Sequence, residues 1–259
     1  MYSGCVTPLG VDESSLRKIL GCGNVFNVHL CDWARIGKNC VLCADGSGFG
    51  GSVTGSKRLF DLALALCLAA ILLVPFALLL LVLLVVEGRP LFYVAERMKA
   101  PGQPFHLWKL RTMTVAKTDS GVSGGDKSAR VTRIGRILRR ARLDEIPQLW
   151  NVLRGDMSFV GPRPPLRLYV ERFPDLYAQV LQSRPGITGL ASLHFHAHEE
   201  RLLAPCKDSA ETDAVYSRRC VPRKARLDLI YHKHQNLCFD LRLIAETGGR
   251  VLFKRLFKM

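Results

Sequence analysis

The longest uninterrupted apolar run, Leu62 to Val86, holds no charged residue and separates a polar leader from a strongly patterned remainder. As a helix its 25 residues would reach about 38 Å, enough to cross a bilayer core. A buried soluble helix of that length and uniformity is a poor match. Pro75 lies near the middle, where it removes a helix hydrogen bond and bends the axis. Basic residues flank both ends, Lys57 and Arg58 before, Arg89, Arg97 and Lys99 after. That symmetry suits two ends on the cytoplasmic side. A kinked crossing helix accommodates the proline equally well, so these residues leave re-entry and crossing both open.

Residues 1–55 mix Gly, Ser, Cys and short apolar stretches without sustained periodicity, and Gly46 to Ser56 reads as a flexible linker. A poorly structured leader, 1–56, is expected, with a short helix possible near Glu13 to Leu20. Downstream, Leu91 to Ala95 and Phe105 to Leu110 predict a small hairpin around Pro101-Gly102. Thr118 to Lys127 reads as a polar, glycine-rich flap. From Val131 the period becomes helical, with Ile134, Ile137, Leu138 and Ala141 on one face and arginines on the rest. Such a basic amphipathic helix suits an anionic lipid interface. A further helix is predicted over Tyr169 to Gln182. Alternation would put His194, His196 and His198 on one side of a strand, where an exposed or substrate-facing edge is preferred over a metal site. Glu199 to Arg219 reads as a helical excursion, and Leu252 to Met259 as a basic, apolar end able to touch membrane.

Charge narrows the partners. Lys and Arg total 37 against 22 acids, a formal +15, which suits nucleic acid, an anionic membrane surface or phosphorylated substrates. The apolar run favours the last two together, and no nucleic-acid partner is expected. Nine cysteines form no regular frame, and the start lacks a secretory pattern, so reduced thiols are expected. The CxxC of Cys40 and Cys43 has no second pair at ribbon spacing to make it a convincing zinc site.

The chemistry concentrates in Arg139 to Pro165, RRARLDEIPQLWNVLRGDMSFVGPRPP. Asp144 and Glu145 precede Pro147 and a helical run, Ile146 to Leu153, with Gly155 as its stop. Carboxylates there are often only caps. Arg139, Arg140 and Arg142 before them and Arg163 after them set this pair apart, because phosphate beside an ionised acid needs cations to screen both.

The string LDEIPQLWNVLRGDMSFVGPRP resembles the signature of the bacterial sugar transferases, the monotopic polyprenyl-phosphate phosphoglycosyl transferases. Lys109, Arg111, Thr112 and Met113 fill that family's Lys-x-Arg-Thr/Ser-Met pattern, and Arg184 to Leu190, RPGITGL, is a second hallmark. The tail matches through Asp228, Tyr231, Asn236, Asp240 and Thr247, so the resemblance covers roughly 57–247. After Leu190 this chain departs from the commoner Ala-Gln-Val continuation, and Val74 stands where the family usually has serine before its proline.

The resemblance implies an α/β, mainly helical fold: a compact cytoplasmic domain, 88–259, with small β elements, interfacial helices and one re-entrant membrane helix, 57–87, broken at Pro75. It implies transfer of a sugar-1-phosphate from a UDP-sugar to polyprenyl phosphate at the cytoplasmic face of the bacterial inner membrane. Asp144 would be the nucleophile, Glu145 its assistant, and both candidate Mg²⁺ ligands. Lys109 and Arg111 would hold phosphates or the helix ends around the site, and Arg139, Arg163 and Arg184 would hold phosphates, with Asp228 reaching the site and Asp240 anchoring a helix. A non-enzymatic scaffold binding anionic lipid is the alternative.

Overall fold

The computed structural model describes residues 55–115 and 129–256, with side chains described to residue 250. The leader, the Cys40/Cys43 pair and the Thr118 to Lys127 flap lie outside the described residues. The remainder is mostly helical, with two small two-stranded sheets.

Helix α1, Gly55–Val86, is long and apolar enough to cross a membrane, and Pro75 lies inside the helical run. Ile71, Leu73, Val74, Leu78, Leu81 and Val85 are all more than half exposed. So continuous an apolar surface calls for a lipid or protein neighbour. Both ends of α1 are nevertheless fastened to the same globular body. At the start, the Lys57 ammonium donates to the Val160 carbonyl (3.2 Å) and the Tyr231 hydroxyl (3.0 Å), and pairs with the Asp240 carboxylate. Arg58 donates to the carbonyls of Val152 (2.7 Å) and Leu153 (2.9 Å), and Asp61 accepts from the Phe159 amide (3.2 Å). At the far end, Leu83 is buried against Leu110 and Leu138, with Phe76, Leu79 and Leu80 packed alongside.

Strands β1, Phe92–Ala100, and β2, Gln103–Leu110, form the expected hairpin, longer than the sequence reading and with a register shift between Met98 and Ala100. Gly102 takes φ +71 in the two-residue turn, a conformation that costs glycine nothing. Helix α2, Arg133–Ala141, begins at Thr132, whose hydroxyl accepts the Gly135 amide. Its inner face carries Ile134 and Leu138, but Ile137 is 61 % exposed and so leaves the stripe assigned to it.

Helix α3, Gln148–Arg154, ends at Gly155 with φ +89, as its sequence predicts. Asn151 of α3 accepts the Trp108 amide and donates to the His106 carbonyl, which holds α3 along β2. Strand β3, Ser158–Val160, pairs in parallel with β4, Gly186–Thr188. A Cβ on Gly161 would lie 2.1 Å from the Arg184 carbonyl, and one on Gly186 2.2 Å from the Gly161 amide. The GPRP and RPGITG strings thus pack backbone to backbone, which only glycine permits.

The single helix expected over Tyr169 to Gln182 is instead two, α4, Arg167–Arg172, and α5, Pro174–Val180. Pro174 disfavours helical geometry at Phe173, which sits at φ −130, ψ 61. The strand expected around the histidines is also absent. His194 ends α6, Leu190–His194, and His196 and His198 lie on α7, His196–Leu203. The apolar spacing of Leu190, Leu193, Leu202 and Leu203, with Glu199 to Arg201 between, is helical once the whole segment is taken together. The excursion continues as α8, Ser209–Val215, and a π-helical turn, Tyr216–Cys220. Helices α9, Val221–His234, and α10, Leu237–Leu256, close the chain.

Candidate active site

The site is built on a reversal of the backbone. Arg142 caps α2 in the left-handed region (φ 57), unusual for a residue with a Cβ, where the cost is about 1–2 kcal/mol. A single 3₁₀ turn, Leu143–Glu145, follows, and Pro147 starts α3. The reversal brings the Arg142 guanidinium back onto Glu145, three residues later, at 3.0 Å. Arg163, from the turn after β3, donates to the other Glu145 oxygen at 3.1 Å, and the Lys109 ammonium lies 3.6 Å from that same oxygen. Three cations from three parts of the chain therefore close on one buried carboxylate.

Asp144 has a different environment. It is buried, yet accepts no hydrogen bond among the described residues. Burial and the neighbouring Glu145 push its pKa above the ordinary aspartate value, against the pull of Lys109, Arg139 and Arg163. For Glu145 burial acts in the same upward sense, but Arg163, Lys109 and Arg142 outweigh it and hold the carboxyl well below its usual range. Lys109 is pushed down to about 8, first by burial and then by Arg163, with Glu145 and Asp144 opposing. Arg139 donates from Nε to the Thr112 hydroxyl at 2.8 Å, which directs its charge toward Asp144.

Five of the sequence-predicted cations and acids thus converge: Lys109, Arg139 and Arg163 gather around Asp144 and Glu145. Three do not join them. Arg111 donates to the carbonyls of Glu87 (2.9 Å) and Gly88 (3.2 Å), which caps the end of α1, the helix-end role open to it from the sequence. Arg184 has Arg58, Asp61 and Asp156 as its charged neighbours, and its Nη1 has no partner among the described residues. Asp228 is buried on α9, where desolvation pushes it up to about 7 against the pull of Lys224. Asp240 anchors α10 to α1 through Lys57 and accepts from the Tyr231 hydroxyl at 2.6 Å. The histidines diverge: His194 lies 3.9 Å from Glu246, His196 3.5 Å from Glu200, and His198 3.0 Å from Arg223.

Sequence reasoning gave Arg142 no individual role and treated Lys57 and Arg58 as membrane-flanking charge. The three-residue spacing of Arg142 and Glu145 was the available signal for the first. For the other two, whose partners lie 94 to 183 residues away, there was none.

Among the described residues no three His, Cys, Asp or Glu side chains are placed to share a metal. The dyad fits a hard cation that takes one or two carboxylates and keeps phosphate oxygens or water, as Mg²⁺ does. Asp144, which accepts no hydrogen bond among the described residues, suits that task better than Glu145, whose two oxygens are already matched by cations.

A domain with one helix long and apolar enough to cross a membrane, and with two adjacent acids inside a cluster of cations, is suited to binding phosphate. The bacterial sugar transferase family pattern matches residues 53–254, and the chain belongs to that family. It is 40% identical over 202 residues to an uncharacterized sugar transferase, EpsL, of Bacillus subtilis (strain 168), a match covering 76% of this chain and 87% of the relative. Over 143 residues it is 44% identical to a UDP-glucose:undecaprenyl-phosphate glucose-1-phosphate transferase of Caulobacter vibrioides, covering 53% of each chain. It is 36% identical over 203 residues to a UDP-N-acetylgalactosamine-undecaprenyl-phosphate N-acetylgalactosaminephosphotransferase of Aeromonas hydrophila, covering 76% of this chain and 43% of that one. The chain thus spans about half the length of these last two relatives.

Proposed function

We propose that this chain moves a sugar-1-phosphate from a UDP-sugar to polyprenyl (undecaprenyl) phosphate and releases UMP, through a phospho-sugar intermediate on Asp144. The observation that carries the reading is the contrast between two adjacent carboxylates. Glu145 is held by three cations, whereas Asp144 accepts no hydrogen bond among the described residues and is poorly solvated. A desolvated, unengaged carboxylate is a competent nucleophile. An Asp144 oxygen attacks the β-phosphorus, the bond to the bridging oxygen breaks, and UMP leaves with that oxygen and its electron pair. An oxygen of the polyprenyl phosphate then attacks the same phosphorus and expels the Asp144 carboxylate, giving a polyprenyl diphosphate sugar.

Arg139, Arg163 and Lys109 neutralise the charge that develops on the phosphoryl oxygens. Arg142 and Glu145 fix the turn that presents Asp144. Mg²⁺, bound at Asp144, would supply further screening of the diphosphate. The names of the two phosphotransferase relatives, with their undecaprenyl-phosphate acceptors, support the reaction class and leave the sugar to experiment.

Re-entry of α1 from the cytoplasmic leaflet is part of the same reading. Its 32 residues would reach about 48 Å if straight. Contacts at Lys57 and at Glu87 with one globular body support both ends on the same side. The product suits the first membrane step in assembly of an exopolysaccharide or another glycan.

Membranes carrying the protein, incubated with Mg²⁺, undecaprenyl phosphate and a panel of UDP-sugars, test the reading through UMP release. UMP that depends on the lipid phosphate and disappears with Asp144→Asn supports it. UMP release that survives Asp144→Asn overturns the intermediate, and lipid binding without turnover on any sugar favours a scaffold.

A further inference from the structure

The β1–β2 hairpin carries a cation beside the dyad's own that the chemistry has so far left unused. Residues opposite one another in an antiparallel pair share a face, as do alternate residues along a strand. Tyr93 lies opposite Lys109, Ala95 opposite Leu107 and Arg97 opposite Phe105. These six side chains share one face, and it is turned into the protein, since Ala95, Leu107 and Phe105 are buried. From that face Lys109 reaches to 3.6 Å from Glu145. Arg97 stands four residues beyond Tyr93 along β1, about 13 Å nearer the hairpin turn. The next residue, Met98, donates its amide to the Pro165 carbonyl at 3.1 Å, which docks this part of β1 just after the turn that bears Arg163. Arg97 is thus set apart from the membrane-flanking charge that its place in the sequence suggested.

Arg97 has no hydrogen bond or ion pair among the described residues. The adjacent acid, Glu96, belongs to the opposite face and is taken by Arg167 at 2.7 and 3.1 Å. Beside the Arg97 guanidinium lie Arg163, of like sign, and the rings of Tyr93, Tyr169 and Tyr216. Burial and Arg163 both disfavour its charge, and Arg97 in turn disfavours the charge of Lys109. The fold gains nothing from an unmatched guanidinium held against two other cations. An anion from outside removes the conflict, and the planar fork of an arginine suits two oxygens of one phosphate.

We propose that Arg97 binds the phosphate of the UDP-sugar that leaves with UMP, a role that rests on the transferase reading. Attack by Asp144 requires the sugar-bearing phosphorus at the dyad, beside Lys109. The donor's other phosphate then lies to one side of it. The apolar helix α1 packs at the far end of the hairpin, where Leu83 meets Leu110 with Leu91 and Phe92 alongside. The Arg97 end is therefore the one remote from lipid, where a water-soluble nucleotide belongs. When the bond to the bridging oxygen breaks, that oxygen keeps the electron pair, and its phosphate passes from one negative charge to two. A guanidinium at that phosphate stabilises the charge as it develops.

Arg97→Gln in the full chain, in nanodiscs with undecaprenyl phosphate, tests the role in three ways: inhibition of turnover by UMP, calorimetric binding of UMP with Mg²⁺, and thermal unfolding without ligand. UMP affinity should fall by roughly tenfold or more and the KM for the UDP-sugar should rise as far, while the KM for undecaprenyl phosphate holds. Arg97→Lys should recover part of the UMP affinity. The unfolding temperature of the Gln variant should hold or rise, because a repelled and unmatched cation has been removed. Undiminished UMP affinity overturns the role. So does a loss that comes with a lower unfolding temperature, which would make Arg97 structural, or a rise confined to the KM for undecaprenyl phosphate, which would give Arg97 to the acceptor. Calorimetry needs no turnover, so the two claims separate. A parent chain that binds UMP more tightly than Arg97→Gln but releases none from any UDP-sugar overturns the reaction and keeps the subsite. A parent that releases UMP, and whose UMP affinity survives Arg97→Gln, overturns the subsite alone.

Discussion

Two buried acid clusters lie beside α1, and they do opposite things with charge. At the base of α1, Asp240 and the Tyr231 hydroxyl close around Lys57, and every polar atom of that ammonium is used within the protein. Around the dyad, Lys109, Arg139, Arg142 and Arg163 face Asp144 and Glu145, four cations against two carboxylates. In the first cluster one ammonium is matched by one carboxylate and two neutral oxygens, so it fastens. The second keeps positive charge in reserve, and a diphosphate brings the anions it lacks. Burial alone does not separate a latch from a catalytic centre; the count of charges left over does.

The largest expected effect breaks the second cluster while sparing the fold. Asp144→Asn should lower UMP release by on the order of 10⁴-fold or more, as removal of a nucleophile does. Its thermal stability should hold or rise, because burial and Glu145 both disfavour the charge being removed. Unfolding of the Asn variant at lower temperature than the parent would mean that Asp144 is structural.

The latch should respond in the reverse sense. Lys57→Met leaves Asp240 buried without its cation, a change that costs about 3–5 kcal/mol. Adding Asp240→Leu should recover most of that loss, because a packed apolar pair replaces a buried ion pair at little cost. Denaturant titration of the single and double variants reads both. A Lys57→Met protein with parental stability but no turnover would move Lys57 into the catalytic machinery and collapse the contrast.

A smaller effect separates charge from backbone at Arg142. Arg142→Ala should cost about tenfold in turnover through loss of a charged partner of Glu145. Arg142→Gly should lose as much activity yet be more stable than the alanine variant by about 1 kcal/mol, because glycine carries no penalty at φ 57. Equal stability of the two would show that the reversal is not strained.

The sequence made the dyad, its following helix and the hairpin legible, because each is set by neighbours: Pro147 before α3, Gly155 after it, and Pro101-Gly102 between the strands. Around Pro174 and around the histidines a local pattern misled. Proline split one expected helix, and alternating histidines imitated a strand inside a helical segment. Least legible were the long-range fastenings. Nothing near Lys57 or Arg58 announces Asp240 or the carbonyls that end α3, since those meetings are decided by packing. Arg184 and Asp228 were marked by a family motif, and their charged neighbours are Arg58, Asp61 and Asp156 for the first and Lys224 for the second.

The subtlest consequence is a pH profile that only the cation-rich cluster should produce. UMP release needs Asp144 ionised, and burial together with Glu145 raises that group above 3.8, so the acid limb should sit higher than for an ordinary aspartate. Lys109, depressed to about 8, should set the alkaline limb as its charge is lost. Lys109→Arg keeps its charge throughout and should extend activity beyond that limb. Stability should follow a different course. Glu145, depressed in the fold from 4.5, contributes stability that is complete above that value and drains away as pH falls below it. Lys109 binds fewer protons folded than unfolded between about 8 and 10.5, so its contribution rises with pH across that window while activity falls. Activity and stability that decline together above pH 8 would show that Lys109 serves the fold rather than the phosphate.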